Sequence, residues 1–392
     1  MDLQAVPETV FDRMVELRRA FHSHPELAFE EKDTAELIIR ELDSLGVPYE
    51  YGGMGTGVVG ELHAGDDRPT IALRADMDAL PGAENTDLPF SSTIEGKMHA
   101  CGHDAHMAML LGAVRLLCES PPDINTRFVF QPAEEKGGGA RTVIASGALD
   151  DVAAIFGGHV TNHYRVGEIM VADGVITAQS DRFLIQVRGK GGHGARPHEA
   201  SDAVITTGLL ITALQTLVSR EVDPVNPTVV TIGRVDAGSA PNVIAETATL
   251  EGSIRTTLPE VRTHIHDGLR RMARGLEELH NVSLDVQINS GYPPVVNTRR
   301  EAQLAYRAAR QVVGEAGLMQ LDHPSMGAED FSYYLEQTPG CYVRFGARSE
   351  NMKYLPLHSP SFDIEEGVLR VGAAFFDQVT REAANEYPET GK

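Results

Sequence analysis

Side chains of the kinds that bind metal ions follow three separate apolar stretches of this chain. The stretches are MHACGHDAHM (98–107) with Cys101 and His103, FVFQPAEE (128–135) with Glu134 and Glu135, and AIFGGHV (154–160) with His159. Thiolate, imidazole and carboxylate groups bind zinc and related divalent ions, and a catalytic site keeps one position open for water. The three stretches together therefore predict a metal-dependent enzyme.

Each stretch is predicted to be a buried strand with its polar residues at the carboxyl end. Ligands bind at that edge of open α/β sheets, so several strands can direct side chains to one point. A single Cys-x-His pair would favour a buried thiol beside a histidine, because cysteine is commonly a packing residue. Three strand ends with the same chemistry favour a metal site instead. Cys118 and Cys341 have no such neighbours and are predicted to be packing residues.

The adjacent carboxylates Glu134 and Glu135 favour an enzyme over a metal store. In an extended segment neighbouring side chains point to opposite sides, so one could bind metal while the other faces a water molecule. A carboxylate near that water can accept its proton and pass it to a leaving amine. Standing alone, the pair would be interpreted as two solvated acids. Asp76 and Asp78 in ADMDALP (75–81) also end a strand, where either could orient a ligand histidine or be an ordinary turn residue.

Composition excludes several classes of partner. The chain has 392 residues, of which 42% are hydrophobic, and a formal net charge of −22. Such a charge would repel nucleic acid and anionic membranes, so the expected partner is a small molecule. The sequence shows neither a signal peptide nor an apolar run long enough for a membrane span, and its three cysteines fit a reducing compartment. A cytoplasmic location is expected.

Glycine-rich stretches do not predict a nucleotide site. Gly55, Gly57 and Gly60 have G-x-G-x-x-G spacing, but they lead into a strand-like segment and not into a helix. GKGGHGARP (189–197) lacks the spacing and the hydroxyl residue of a phosphate-binding loop. Both are interpreted as structural loops.

Alternating strands and helices up to about residue 178 predict a layered α/β/α domain whose central sheet is mixed and largely parallel. Asp104 is expected to cap one of its helices. The same alternation returns after residue 292. The expected elements are helices over 7–21, 31–45, 104–118 and 299–314, and strands within 56–78 and over 341–347.

Between these parts the order changes to strand, helix, strand, strand, helix, strand, which is typical of a split-βαβ (ferredoxin-like) unit. Thr257 and Glu260 have capping-box spacing at its second helix, near Pro259. The expected strands are 182–188, 228–236, 246–256 and 282–289, and the helices 201–219 and 259–280. We therefore predict a catalytic domain of residues 1–179 and 293–392, with an inserted domain of residues 180–292.

From about residue 17 to 376 the chain resembles the aminoacylase and carboxypeptidase family of di-metal amidohydrolases, and within it the hippurate hydrolase and indole-3-acetyl-amino-acid hydrolase branch. The motifs are HSHPELAFEE, ADMDALP, MHACGHDAHM, QPAEE, GGHV, GKGGHGARPH, NVIAETATLEGSIRT, GAEDFSYY and LHSP. The resemblance implies two divalent metal ions, zinc or manganese, with cobalt or nickel also possible. It further implies that the insert is a lid that forms a homodimer or homotetramer.

The resemblance also implies a ligand set. Cys101 would bridge both ions, with His103 and His159 on one ion and Glu135 and His358 on the other. His358 lies in LHSP and would pass for an ordinary loop histidine without the family.

The remaining site residues are expected to act on the substrate. Glu134 would be the general base, and Asp78 is placed with the catalytic residues because it could orient a ligand histidine. By resemblance, His193 would reach the site of the partner subunit and stabilise the tetrahedral oxyanion, with Asn242 beside it. Arg255 would hold the α-carboxylate of the substrate, a task that suits a planar guanidinium.

The predicted function is hydrolysis of the amide bond of N-acyl-L-amino acids to a free amino acid and a carboxylic acid. Acetyl, benzoyl and indoleacetyl groups all fit the sequence. One alternative is a metallocarboxypeptidase or dipeptidase that uses the same site on small peptides. A second alternative is a non-catalytic, metal-dependent binding protein, against which Glu134 beside a complete ligand set argues.

Overall fold

A computed structural model describes residues 6–350 and 352–387. The chain divides into two compact units. Of the described residues, those within 1–176, 296–323 and 330–392 form the large unit, and residues 177–295 and 324–329 form the inserted unit. The predicted insert began at 180 and ended at 292, against 177 and 295 here, and the short segment 324–329 was not expected in it.

The secondary structure is numbered along the described chain. The helices are α1 (Glu8–Ser23), α2 (Lys32–Leu45), α3 (His103–Glu119), α4 (Gly139–Ala145), α5 (Ala203–Thr216), α6 (Pro259–His280), α7 (Arg299–Val313), α8 (Phe331–Leu335) and α9 (Val368–Glu386). The strands are β1 (Tyr49–Gly52), β2 (Gly57–Leu62), β3 (Thr70–Asp76), β4 (Leu80–Pro81), β5 (Lys97–Met98), β6 (Asn125–Gln131), β7 (Val152–Arg165), β8 (Ile169–Met170), β9 (Gly174–Val175), β10 (Gln179–Arg188), β11 (Gly192–His193), β12 (Thr228–Ala237), β13 (Val243–Ile244), β14 (Thr247–Thr256), β15 (Ser283–Ser290), β16 (Val296–Asn297), β17 (Leu318–Met319) and β18 (Gly340–Arg348).

An eight-stranded sheet, in the order β1-β2-β6-β3-β7-β18-β8-β17, forms the centre of the large unit. Its middle strands β6, β3, β7 and β18 are parallel to one another, and antiparallel pairs flank them. Every residue of β3 is buried, as expected for a central parallel strand. Helices α1, α3, α9 and α7 pack side by side. The predicted mixed, largely parallel α/β class is confirmed.

Helix α3 begins differently from the prediction. Gly102, with φ 87°, is its N-cap residue, and no side chain caps the helix. The expected cap by Asp104 was wrong, because the Asp104 carboxylate accepts hydrogen bonds from Arg18 and His22 instead. Two buried side chains of α1, a guanidinium and an imidazole, therefore bind this carboxylate instead of the backbone N–H groups at the start of α3.

The inserted unit contains an antiparallel four-stranded sheet in the order β12-β14-β10-β15, with α5 and α6 packed against it. Strand β10 alternates buried Phe183 and Ile185 with more exposed residues, so one face contacts the helices. The element order is the predicted one. The expected capping box was wrong, because α6 starts at Pro259 and makes Leu258, not Thr257, its N-cap residue.

By length and composition alone, residues Ala203–Glu221 of the inserted unit would pass for a membrane span. Ala203, Leu210 and Leu214 nevertheless pack in the core of this unit, and a single such helix is weak evidence for a membrane span.

Candidate metal centre

The predicted ligands reach the centre from a loop, a helix, a strand and a turn. Cys101 lies in the loop before α3, and His103 is the first residue of that helix. The prediction that they end a buried strand was wrong, because only Met98 of this motif lies in a strand, the two-residue β5, and a loop leads from there to the buried helix α3. His159 lies inside β7, not at its end. It nevertheless lies just beyond the last residue of β7 that pairs with β3, which is Gly157.

The structure brings the five expected ligands together in two groups. One consists of Cys101, His103 and His159, and the other of Cys101, Glu135 and His358. Within each group the donor atoms lie within 4.8 Å of one another. The Cys101 Sγ is 3.3 Å from Nε2 of His159, and Nε2 of His358 is 3.1 Å from Oε1 of Glu135. Because Cys101 belongs to both groups, the arrangement has the form of two adjacent sites with one shared ligand.

The donor atoms fit a metal ion better than they fit one another. Among the described residues, Nε2 of His103 and Oε1 of Glu135 are buried without a hydrogen-bond partner. His358 lies close to that oxygen but not in hydrogen-bond geometry. Burying unpaired polar atoms is unfavourable unless a ligand compensates it. A thiolate, three imidazoles and a carboxylate are a donor set that suits zinc and neighbouring transition metals.

Backbone carbonyl groups fix two of the imidazole rings. Nδ1 of His103 lies 2.8 Å from the carbonyl oxygen of Asp78, and Nδ1 of His159 lies 2.6 Å from that of Val160. Each ring therefore donates its Nδ1–H to a carbonyl and directs Nε2 toward the cluster. This pattern is usual for metal-binding histidines, since it sets both the tautomer and the ring orientation.

Burial has a large effect on the pKa values of the donor groups. Burial raises the pKa of the Cys101 thiol well above its usual value. Burial opposes the charge on His103, but the charges of Asp76 and Cys101, together with the contact to Asp78, outweigh it and raise the pKa of His103. Burial, together with the charge of Arg344, lowers the pKa of His159. A metal ion must displace protons from Cys101 and His103, so its affinity should rise with pH.

Glu134 and Glu135 lie in a turn after β6, so the expectation of an extended segment was wrong. Ala133, just before them, has φ 54°, in the left-handed region. The Asp78 carboxylate accepts the backbone N–H groups of Glu134 at 2.9 Å and Glu135 at 3.0 Å. Asp78 therefore holds this turn with its side chain and orients His103 with its backbone carbonyl.

Sequence reasoning missed His106. Its Nδ1 lies 2.5 Å from Oδ1 of Asp76, and its Nε2 accepts the backbone N–H of Val160 at 2.9 Å. Asp76, His103 and His106 are close enough to hold an ion. Both ring nitrogens of His106 are already used, however, so it supports the backbone that carries His159. The only signal was a third histidine in MHACGHDAHM, one helical turn after His103.

His358 differs from the other ligands in its exposure. Its side chain is 54% exposed, and its backbone has φ 64°. Its backbone N–H donates to the carbonyl of Ala100 at 2.8 Å, which ties this loop to the residue before Cys101. The left-handed conformation and this hydrogen bond place a late loop residue in the cluster.

The inserted unit carries the other three predicted residues. His193 of β11 pairs with Val243 of β13, and the N–H of Gly194 donates to the carbonyl of Asn242 at 2.8 Å. The His193 side chain is exposed, and its Nδ1 accepts the N–H of Ala195 at 3.1 Å. The structure thus brings together His193 on β11 and Asn242, the turn residue immediately before its partner strand β13.

Arg255 lies on β14 and donates to the carbonyl of Met326 at 3.4 Å. Burial and the neighbouring charge of Arg182 lower the pKa of Arg255. Within residues 6–350 and 352–387, neither arginine forms an ion pair. Two nearby cations without a carboxylate partner are suited to bind an anionic group.

Residues 72–382 match the model of peptidase family M20/M25/M40. The chain belongs to this family. The M20 chain is 38% identical over 369 residues to thermostable carboxypeptidase 1 of Saccharolobus solfataricus, covering 92% of this chain and 93% of the relative. It is 38% identical over 373 residues to IAA-amino acid hydrolase ILR1-like 4 of Arabidopsis thaliana, covering 93% and 84%.

A solved structure shares the fold of this chain. The YXEP protein of Bacillus subtilis, described as a dinuclear metal-binding peptidase of the M20 family, matches with a TM-score of 0.84 and 34% identity. The match covers 96% of this chain and 99% of that one. The family resemblance seen in the motifs is confirmed, and this M20 protein is a metal-dependent hydrolase of amide bonds.

Proposed function

We propose that this M20 enzyme hydrolyses N-acyl-L-amino acids, with acetyl, benzoyl or indoleacetyl as the acyl group. The observation that carries the proposal is the position of Glu134, whose carboxylate lies within 4.8 Å of donor atoms of His103 and Glu135. The side chain is buried beside the donor groups that share Cys101. A buried carboxylate next to a hydrolytic metal site is suited to accept and return one proton.

The proposed centre holds two divalent ions, zinc or manganese, with cobalt or nickel as alternatives. Cys101 would be shared, His103 and His159 would complete one site, and Glu135 and His358 the other. The unpaired buried atoms of His103 and Glu135 support this assignment. When bound, the ions supply Lewis-acid activation of the amide carbonyl and of the attacking water.

Glu134 would act as general base and then as general acid. It would take a proton from the attacking water and deliver it to the nitrogen of the departing amino acid. Asp78 would support this step by holding the N–H groups of Glu134 and Glu135, which fixes where both carboxylates lie.

Residues of the inserted unit would bind the charged parts of the substrate. His193, whose side chain is exposed, would stabilise the oxyanion in the partner subunit's site, with Asn242 beside it. Arg255 would bind the α-carboxylate, which the unpaired charges of Arg255 and Arg182 support. Removal of one oxyanion donor would cost about 2.7–4 kcal/mol of transition-state stabilisation.

The inserted unit would act as lid and as the dimer contact. Strand β12 is at the edge of its sheet, and α5 leaves apolar side chains exposed. Exposed edge strands and apolar patches favour association with another chain. The exposed apolar residues are Val204, Ile205 and Leu209 on α5, and Val229 and Val235 on β12. We propose a cytoplasmic homodimer, or a homotetramer built from it, that acts on small molecules and binds neither nucleic acid nor membranes.

The direct test is amino acid release from N-acetyl, N-benzoyl and indoleacetyl amino acids and from dipeptides. The enzyme is assayed after chelation and again after addition of zinc, manganese, cobalt or nickel. Metal-restored release from acyl amino acids supports the proposal. Preference for dipeptides would favour the carboxypeptidase alternative, which the Saccharolobus solfataricus relative suggests. Binding of metal without any turnover would favour the non-catalytic alternative.

A further inference from the structure

Glu31 immediately precedes α2 and is fully buried. Its Oε1 accepts the backbone N–H of Ala133 at 2.8 Å. Ala133 is also fully buried and immediately precedes Glu134. Water is therefore poorly placed to replace this hydrogen bond, and leaving the N–H unpaired at this position would be unfavourable.

The turn that starts at Ala133 needs external support. Its φ of 54° is unfavourable for a residue with a side chain, and such conformations persist where the surroundings fix them. Three consecutive N–H groups of the turn donate hydrogen bonds to carboxylates. One donates to Glu31 and two donate to Asp78. The Ala133 carbonyl accepts the N–H of Gly139 at 3.2 Å, where a Cβ on Gly139 would lie 1.6 Å from the Pro132 carbonyl oxygen. The turn is thus held from both sides.

We propose that Glu31 is a positioning residue of the hydrolytic site, which holds the N–H of Ala133 and thereby fixes the turn that presents Glu134 and Glu135. The inference rests on the proposed function, in which Glu134 is the base. Glu31 is not a catalytic residue, because it acts through the backbone of Ala133. Burial and the nearby Asp78 carboxylate raise the pKa of Glu31 to about 7, which suits a group placed for its acceptor oxygen and not for its charge.

Three substitutions in the metal-loaded enzyme test this role. Glu31→Gln keeps an acceptor oxygen at the same reach, Glu31→Asp withdraws it by one methylene, and Glu31→Leu removes it. We expect Glu31→Gln to keep the wild-type kcat. The other two should lower kcat by about 100-fold with little change in KM, as a displacement of about 1 Å can do. Bound metal, measured by elemental analysis, should stay near the wild-type level in Glu31→Asp.

A second readout does not depend on turnover. Hydrogen exchange, followed by mass spectrometry of a peptide over residues 131–136, should be faster in Glu31→Asp and Glu31→Leu and unchanged in Glu31→Gln. Glu41→Leu is the matched control, since Glu41 is a buried carboxylate on α2 that pairs with Arg13 and Arg115. It should lower stability and leave both kcat and exchange at the turn unchanged.

The two hypotheses can fail separately. Unchanged exchange in both Glu31→Asp and Glu31→Leu, or a Glu31→Gln enzyme as impaired as Glu31→Leu, would overturn the positioning role. If the wild-type enzyme released no amino acid from any conjugate, the proposed function would fail. Hydrogen exchange would then still decide whether Glu31 holds the turn.

Discussion

His22 on α1 gives the sharpest test of the electrostatics behind the metal centre. Its side chain is 1% exposed, with Nδ1 2.8 Å from Asp104 and Nε2 3.2 Å from Glu84. A neutral imidazole has one N–H and can donate to only one of these carboxylates. Burial and the charge of Arg18 oppose protonation, but the hydrogen bonds to Asp104 and Glu84 prevail and raise the pKa of His22 to about 9.

The shift converts into a stability difference. From the ordinary value of 6.5 to about 9 it corresponds to about 3 kcal/mol, at about 1.4 kcal/mol per pKa unit. Because the pKa of His22 is higher in the folded state, this stabilisation is complete below about pH 6.5. It is lost as the pH rises through about 9. The nearby charged or titratable groups are Asp104, Glu84, Arg18 and His99.

Substitution His22→Gln removes the titration and keeps one N–H donor of similar size. Free energies of unfolding are measured by urea denaturation of both proteins at about pH 6 and about pH 10. The wild-type advantage should be larger at the lower pH by about 3 kcal/mol. Equal advantages at both values would refute the reasoning, because they would mean that His22 is not charged in the fold. His63→Gln, at a histidine that is 53% exposed, controls for the loss of a histidine.

The remaining predictions concern the reaction. Glu134→Gln should keep wild-type metal content by elemental analysis and lose turnover; retained activity would contradict its role as the base. His193→Ala should lower kcat by about 100- to 1,000-fold. Mixing its subunits with Glu134→Gln subunits should restore part of the activity, and no restoration would contradict action in the partner subunit's site. His106→Phe should weaken metal affinity about 10- to 100-fold, measured by competition with a chelator, because His159 loses its support. Wild-type affinity in that variant would show that His106 is dispensable.

The sequence predicted the chemistry of the centre better than its geometry. The donor types of Cys101 and His103 and the helix that follows them were evident from the sequence, but the strand before them was not predicted correctly. Only Lys97–Met98 form a strand there, β5, and a loop leads from it to α3. Asp104 looked like a cap because its partners, Arg18 and His22, are distant in sequence.

Other differences between prediction and structure arose from contacts between residues that are distant in sequence. The turn at Glu134 is held by Glu31 and Asp78, from two other parts of the chain, so an extended conformation was the natural local expectation. The insert was easier to predict because its strands and helices alternate with clear periodicity. The N-cap predicted at Thr257 was wrong by one residue, because α6 begins at Pro259 and its N-cap residue is Leu258.

Buried carboxylates behind the ligands explain both the incorrect predictions of local structure and the charge balance expected at the metal centre. Two divalent ions would bring more positive charge than Cys101 and Glu135 can balance. Asp76 and Asp78, both buried, lie directly behind the ligands and supply further negative charge. The charges of His103 and Arg74 and the hydrogen bond from His106 outweigh burial and hold the pKa of Asp76 well below its usual value, so this carboxylate is ionised. The same acids hold the turn and the rings in place, so geometry and charge balance at the centre depend on one set of residues.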